Sequence, residues 1–340
     1  MTKLFVEVPV RSLVKTILGF ILCAAVVAVT GCGYHNDKEK YYLISANIQL
    51  PYWQAAATGI RRATHEMQIQ SQFSGPDSYD AQAEVQAFRQ AVAAKPAGIL
   101  VSPADPKLMA PEIDKAIEAG IPVVTVDSDA PDSKRLFYVG TNNYEAGQLG
   151  AQVAIQKSNG KGNFMVFTMP GQANLDQRLD GYRKAFAAHP AMKIVQVVDI
   201  HGQPTAAFDA ASASLAKKGA EKIDGYICLE ASAGKEVAQV MRNYKITDRI
   251  IVAMDTDQET LDAVRDGTIA ATIAQKPSTM TYVGTMMLDT LHHHPPSSFN
   301  QNWKADPYSP VPAFVDTGAA LIDRSNLDEF IRARDAATNK

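Results

Sequence analysis

The chain has 340 residues, 46% apolar and 20% charged, which leaves room for two domains of ordinary size and matches a globular protein rather than a disordered or fibrous one. A net charge of −3 supplies no basic field for binding nucleic acid.

The N-terminus differs from the rest. Arg11 and Lys15 precede an unbroken apolar run from Thr16 to Thr30, which closes in Val29-Thr30-Gly31-Cys32. A basic segment, a short apolar run and small residues before a cut form an export signal, and the run is short for a membrane span. The junction is similar to the lipobox of bacterial lipoproteins, in which the cysteine is acylated and becomes the mature N-terminus, so Cys32 is the expected lipidation site. Residues 1–31 read as the signal peptide and 32–41 as a polar tether. Removing the signal takes a net +2 (Lys3, Arg11 and Lys15 against Glu7) from −3 and leaves −5. Cys228 is then the one free thiol, inside the apolar run Tyr226 to Leu229. It reads as a small buried hydrophobe, and no disulfide framework is possible.

From Tyr42 onward, strands alternate with helices. Tyr42 to Ala46 is a strand. The helix after it runs to about Met67, with Trp53, Ala56, Ile60, Ala63 and Met67 on one stripe. Gln68 to Phe73 is a weaker strand, Asp80 to Ala94 a helix, and Gly98 to Val101 a strand. Met109 to Ala119 is a helix closed by Gly120, Pro122 to Val126 a strand, and Leu136 to Gly140 one more short strand. At Thr141-Asn142-Asn143 the alternation starts afresh with a helix through Lys157. Strands follow at Asn163 to Thr168, Ile194 to Asp199 and Tyr226 to Leu229, each succeeded by a helix.

Ile250 to Pro277 is the clearest unit. Ile250 to Met254 is a buried strand, Thr256 with Glu259 reads as a capping box, Gly267 stops the helix, and Ile269 to Ala274 is the next strand. A helix from about Ser278 to Leu291, a Pro-rich stretch from Pro295 to Pro312, a strand from Ala313 to Ile322 and a last helix from Leu327 finish the chain. The expected fold is α/β: two Rossmann-like lobes with parallel sheets joined by a multi-strand hinge. Residues 42–141 plus 278–307 form the N-terminal lobe and 142–277 plus 308–340 the C-terminal lobe, with ligand bound where the strands end.

The residues following each strand are the candidate ligand contacts. They are Gln49, Tyr52, Trp53, Ser102, Asp127, Ser128 and Asp129 from the first lobe, and Asn174, Arg178, Glu230, Asp255 and Gln275 from the second. Carboxylates, an arginine and a Tyr-Trp pair suit a neutral polyhydroxylated ligand: the charged groups bond hydroxyls while an aromatic face covers the apolar side of a sugar ring.

With these residues in place, the chain resembles the periplasmic binding proteins of the ribose and galactose type, which feed ABC sugar importers and share their fold with the ligand domain of lactose-type repressors. The marks are Leu50-Pro51-Tyr52-Trp53, Gly120-Ile121-Pro122-Val123-Val124 before Asp127, Val139-Gly140-Thr141-Asn142, Arg178 with Gly181, and Asp255 with the Asp266-Gly267 to Gln275-Lys276-Pro277 segment. The resemblance spans about Tyr42 to Ile322. It implies that Tyr52 and Trp53 are the aromatic clamp, Asp127 the first-lobe carboxylate, and Arg178, Asp255 and Gln275 the second-lobe contacts. Leu50, Ser102, Ser128 and Glu230 stand where ribose binders usually carry Asn, Asn, Arg and Asn, so ribose is not the expected ligand. The Asp127-Ser128-Asp129 pattern is similar to that of rhamnose and autoinducer-2 binders and keeps those ligands open. An ABC permease is the implied partner and a monomer the implied state. A sensory protein presenting its ligand to a chemoreceptor or histidine kinase is the alternative.

Other motifs read as structural. Gly160 to Gly162 and Gly171 lack the spacing of a dinucleotide fingerprint, and no cofactor is expected. His292-His293-His294 invites a metal, but adjacent helical residues point apart and Pro295 follows, so the run reads as a solvated helix end. Asp127 and Asp255 could serve a glycosidase as paired carboxylates, yet no nucleophile elbow or Ser-His-Asp order accompanies them, and no enzyme is expected. A repressor is disfavoured because an export signal stands where a helix-turn-helix is needed.

Overall fold

The computed structural model describes residues 35–299, 303 and 306–338, so the expected export signal and lipidation site Cys32 lie outside the described residues. The first lobe begins with β1 (Lys40–Ile44), α1 (Pro51–Glu66), β2 (Gln70–Ser74), α2 (Ala81–Ala93), β3 (Gly98–Val101), α3 (Pro106–Glu118), β4 (Val123–Val126) and β5 (Tyr138–Gly140). The second carries α4 (Asn143–Ser158), β6 (Gly162–Thr168), α5 (Ala173–Phe186), β7 (Met192–Asp199), α6 (Pro204–Ser214), β8 (Gly225–Cys228), α7 (Ala233–Asn243), β9 (Ile250–Met254), α8 (Gln258–Asp266) and β10 (Ala271–Ala274). The chain ends with α9 (Pro277–His293), β11 (Phe314–Asp316), β12 (Ala320–Ile322) and α10 (Leu327–Thr338).

Each lobe holds a six-stranded sheet, ordered β11-β5-β4-β3-β1-β2 in the first and β12-β10-β9-β8-β6-β7 in the second. The two orders superpose strand for strand, so β4 corresponds to β9 and β5 to β10. Every described pairing is parallel except β10 with β12. The central strands β3, β4, β8 and β10 are buried at every position because helices cover both faces, which is why they read as unbroken apolar runs. The edge strand β2 carries exposed glutamines instead, and the edge strand β7 exposes Lys193 and Gln196 together with Val195 and Val197. The α1 stripe is buried as expected, and Cys228 is a buried free thiol. Helix α9 returns to the first lobe and packs on α1, where a Cβ at Gly59 would stand 1.9 Å from the Ser278 carbonyl.

Two expectations are corrected. The apolar stretch from Ala313 to Ile322 is not one strand: Asp316, Thr317 and Gly318 (φ 76°) turn the chain out of the first sheet after β11 and into the second at β12. Residues 308–316 therefore stay with the first lobe, and the third crossing lies at 317–319. Asp316 fixes it, accepting from the Asn142 amide at 3.0 Å and the Gly318 amide at 2.8 Å, which joins this crossing to the one after β5. The remaining passage follows β10. Helix α8, in turn, is capped by Asp257 rather than by a Thr256 box. Asp257 accepts from the Thr260 amide at 3.2 Å and from its hydroxyl at 2.7 Å, two bonds that start the helix one residue later.

Candidate functional site

Between the lobes lies a cavity of about 130 Å³, lined at the strand ends by Tyr52, Trp53, Ser102 and Asp127 on one side and by Asn174, Arg178, Glu230, Asp255 and Gln275 on the other. That volume fits a molecule of monosaccharide size and is well below the ~300 Å³ at which drug-sized pockets begin.

Its floor repeats one device in each lobe. Asp127 follows β4 and Asp255 follows β9, both in left-handed backbone with φ of 65° and 68°. The amide of Asp127 donates to Val139 of β5 at 3.0 Å, and that of Asp255 donates to Ile273 of β10 at 2.8 Å. The ladder thus continues through each aspartate while the chain turns away. Aspartate tolerates this conformation better than most residues do.

Asp127 Oδ1 accepts from the Tyr52 hydroxyl at 2.5 Å, and Oδ2 accepts from Asn174 Nδ2 at 3.3 Å, the latter across the cleft. Burial raises the Asp127 carboxyl, and the Arg178 charge opposes that shift. Tyr52 meets Trp53 edge to face, with ring centroids 5.2 Å apart, and burial raises its phenol well above the usual range. On the second lobe, Arg178 is 2% exposed and forks into three acceptors: Asn143 Oδ1 at 2.9 Å from Nε, the Leu229 carbonyl at 2.7 Å from Nη1, and Gln275 Oε1 at 2.7 Å from Nη2. Gln275 then donates from Nε2 to Asp255 Oδ1 at 2.9 Å, and its own Oε1 also accepts from Thr141. Asp255 and Arg178 are therefore coupled through Gln275 rather than by a direct pair. Burial lifts the Asp255 carboxyl to about 7 against the lowering influence of Arg178 and Gln275.

The other candidates are placed differently. Glu230 lines the cavity, but its carboxylate accepts from the Ser232 amide and hydroxyl and from the Ala233 amide at 2.6–2.8 Å, so it caps the start of α7. Gln49 lies outside the cavity and bonds Asp77 at 3.0 Å. Ser128 lies behind it, its amide donating to Ser102 Oγ at 3.3 Å. Asp129 points away into a two-pronged bond with Arg135 at 2.5 and 2.6 Å.

Three further residues complete the site. Tyr138 donates to the Asp127 carbonyl at 2.6 Å and accepts from Asn143 at 3.3 Å, and Asn143 holds Arg178, so one chain of bonds runs from the first-lobe aspartate to the second-lobe arginine. Gly140 is needed beside it, because a Cβ there would stand 2.0 Å from the Tyr138 hydroxyl. Tyr79 accepts from Gln172 at 2.7 Å across the cleft and packs on Gly202. The proximity of Tyr138 and Asn143 to the Val139-Gly140-Thr141 motif was the available signal; Tyr79 sits in a loop without one.

Residues 41–293 match the family described as the periplasmic binding protein domain. The chain is 23% identical to the xylose/arabinose-binding protein XylF of Sulfolobus acidocaldarius over 306 residues, 83% of this chain and 70% of that one. Among solved structures it is 32% identical to AraP, an arabinose-binding protein from Geobacillus stearothermophilus, with a TM-score of 0.71 over 86% of this chain and 99% of that one. It is 27% identical to a chain of the XylFII-LytSN complex, with a TM-score of 0.74 over 85% and 98% of the two chains. A match that spans most of the sequence, on two Rossmann-like lobes facing one cavity, makes this chain a member of the periplasmic binding protein family, a type I solute-binding protein and not an enzyme.

Proposed function

We propose that the protein captures a monosaccharide, with aldopentoses the first class to try, and delivers it to an ABC importer. The observation that carries this reading is the pair Asp127 and Asp255, set at equivalent strand ends of opposite lobes and facing one cavity of about 130 Å³. Carboxylates and Arg178 bond hydroxyls, and the Tyr52-Trp53 pair covers a ring face. The arabinose and xylose named for AraP and XylF support the ligand class. The mechanism is hinge closure: a ligand touching both lobes favours the closed state, which the permease recognises. In a thermal-shift screen of pentoses, hexoses, deoxyhexoses and polyols, the cognate sugar at a hundred times its dissociation constant should stabilise by about 2.7 kcal/mol. X-ray scattering should show a smaller radius of gyration with that sugar. A protein that no monosaccharide stabilises, or whose radius stays constant at saturation, contradicts the reading.

We also place the protein on a membrane through acylated Cys32, on the strength of the Gly31-Cys32 junction after an export run. Mass spectrometry of the membrane fraction should find a diacyl or triacyl N-terminal Cys32. An unmodified Cys32 within a longer soluble chain contradicts it.

A sensory role is the second reading, favoured by the likeness to a chain solved in complex with LytSN. Sugar-stimulated ATP hydrolysis by the reconstituted importer supports delivery. A sugar-dependent complex with a receptor ectodomain, without that stimulation, supports sensing.

A further inference from the structure

At the end of the first lobe remote from the cavity, the N-terminal segment meets the last turn of α9. Asp289 and His293 lie four residues apart on that helix and share a face. His35 Nε2 stands 3.1 Å from both Asp289 oxygens, while His293 Nε2 stands 3.6 Å from Asp289 Oδ1 and 3.0 Å from Glu39 Oε2. In a tetrahedral site with bonds of about 2.0–2.1 Å, donor atoms sit about 3.3 Å apart. The observed separations straddle that edge, and the donor atoms of His35, Asp289 and His293 all lie within 4.8 Å of one another. The setting is also built for rigidity. The side chains of Asp289, Glu39, His293 and His35 are only 8–21% exposed, and fully buried Tyr41 donates to Asp289 Oδ1 at 3.2 Å, which orients the carboxylate. His293 is thus not the solvated helix end that the run of three histidines suggested, whereas His292 and His294 are exposed.

We propose that His35, Asp289 and His293 bind one divalent transition-metal ion of the zinc class, a three-residue donor set that leaves the fourth tetrahedral position open. Two imidazole nitrogens beside a carboxylate suit zinc-type ions, while calcium and magnesium take oxygen sets. The ion pins the segment before β1 to the base of the first lobe. Both β1 and α9 point their other ends toward the cleft, so the metal holds the lobe from behind without entering the sugar site.

The test uses the full mature chain without an affinity tag, stripped with chelator and titrated with zinc chloride by calorimetry, with metal counted by mass spectrometry after dialysis. One zinc per chain is expected, along with a higher melting temperature that chelator reverses. His35→Ala and Asp289→Asn should each weaken zinc binding at least tenfold, while His292→Ala and sugar affinity stay unchanged. His35 lies in the segment ahead of the lobe's core, so its variant keeps the test decisive should Asp289→Asn fail to fold. A chain that retains no zinc, that binds it equally after both substitutions, or that loses it through His292→Ala overturns the proposal. The first of these results would identify the cluster as a hydrogen-bonded histidine-carboxylate network only.

Discussion

Asp255→Ala should weaken binding of the cognate sugar by about 2–5 kcal/mol, the range seen when one partner of a buried charged contact is truncated. The carboxylate ends β9, is 7% exposed, and is held by Gln275, so its position is set before ligand arrives and little ordering is left to oppose binding. Folding should not suffer in parallel. Burial already raises this carboxyl to about 7, which means that the folded ligand-free protein disfavours its ionised form. Asp255→Asn, of the same size, should leave the melting temperature at pH 8 unchanged or higher while affinity falls. Calorimetry and a melting curve on each variant check this, and wild-type affinity in Asp255→Ala would move the site elsewhere.

The same carboxyl sets a pH dependence whose sign can be worked out. Its folded value of about 7 lies above the unfolded 3.8, so the folded state holds more protons between those limits. Its contribution to stability is therefore fully present below about 4 and is lost as pH rises through about 7. Sugar binding should run the other way. A ligand that prefers the ionised carboxylate must displace the proton below 7, so affinity should fall with decreasing pH, by up to about tenfold per unit, and level off above neutrality. Asp255→Asn should flatten both profiles.

The strand-helix alternation was legible because parallel strands covered on both faces leave unbroken apolar runs such as Ile250 to Met254, and turns such as Gly267 punctuate them. The break between β11 and β12 is marked in the sequence only by the turn residues Asp316-Thr317-Gly318 between two short apolar runs, and tertiary structure decides that the chain changes sheets there rather than continuing one strand. At the site, position after a strand located Asp127 and Asp255 but could not give side-chain direction. Asp127 and Asp129 leave the same strand, yet one faces the cavity and the other is taken by Arg135, a partner six residues on that sequence spacing alone does not select. Glu230 shows the same limit, being consumed by the start of the next helix. The cluster of His35 with Asp289 and His293 joins residues more than 250 positions apart, and no local pattern announces it.

Arg178→Met should cost about 3–5 kcal/mol of folding stability, because it removes a buried cation whose partners remain. Three acceptors lose the bond from the guanidinium at once: Asn143 on α4, the Leu229 carbonyl after β8, and Gln275 after β10, which keeps only its bond from Thr141 at that oxygen. The charge itself also opposes the burial-driven rise of Asp127, Glu230 and Asp255, so all three carboxyls should move further upward without it. Sugar affinity should fall as well, since Gln275 and Asp255 lose the anchor that orients them. Lysine should not rescue: a single ammonium cannot reach three acceptors arranged for a planar fork. Nor is there room for the helix to adjust, because a Cβ at Gly147 of α4 would stand 2.1 Å from the Arg178 carbonyl, leaving the two helices in close contact at this residue. Urea unfolding of Arg178→Met and Arg178→Lys, with calorimetry against the cognate sugar, provides the check. A methionine variant within about 1 kcal/mol of wild type in stability would show that the guanidinium is not the clamp of the second lobe, and one with unchanged affinity would show that it neither contacts the ligand nor orients the groups that do.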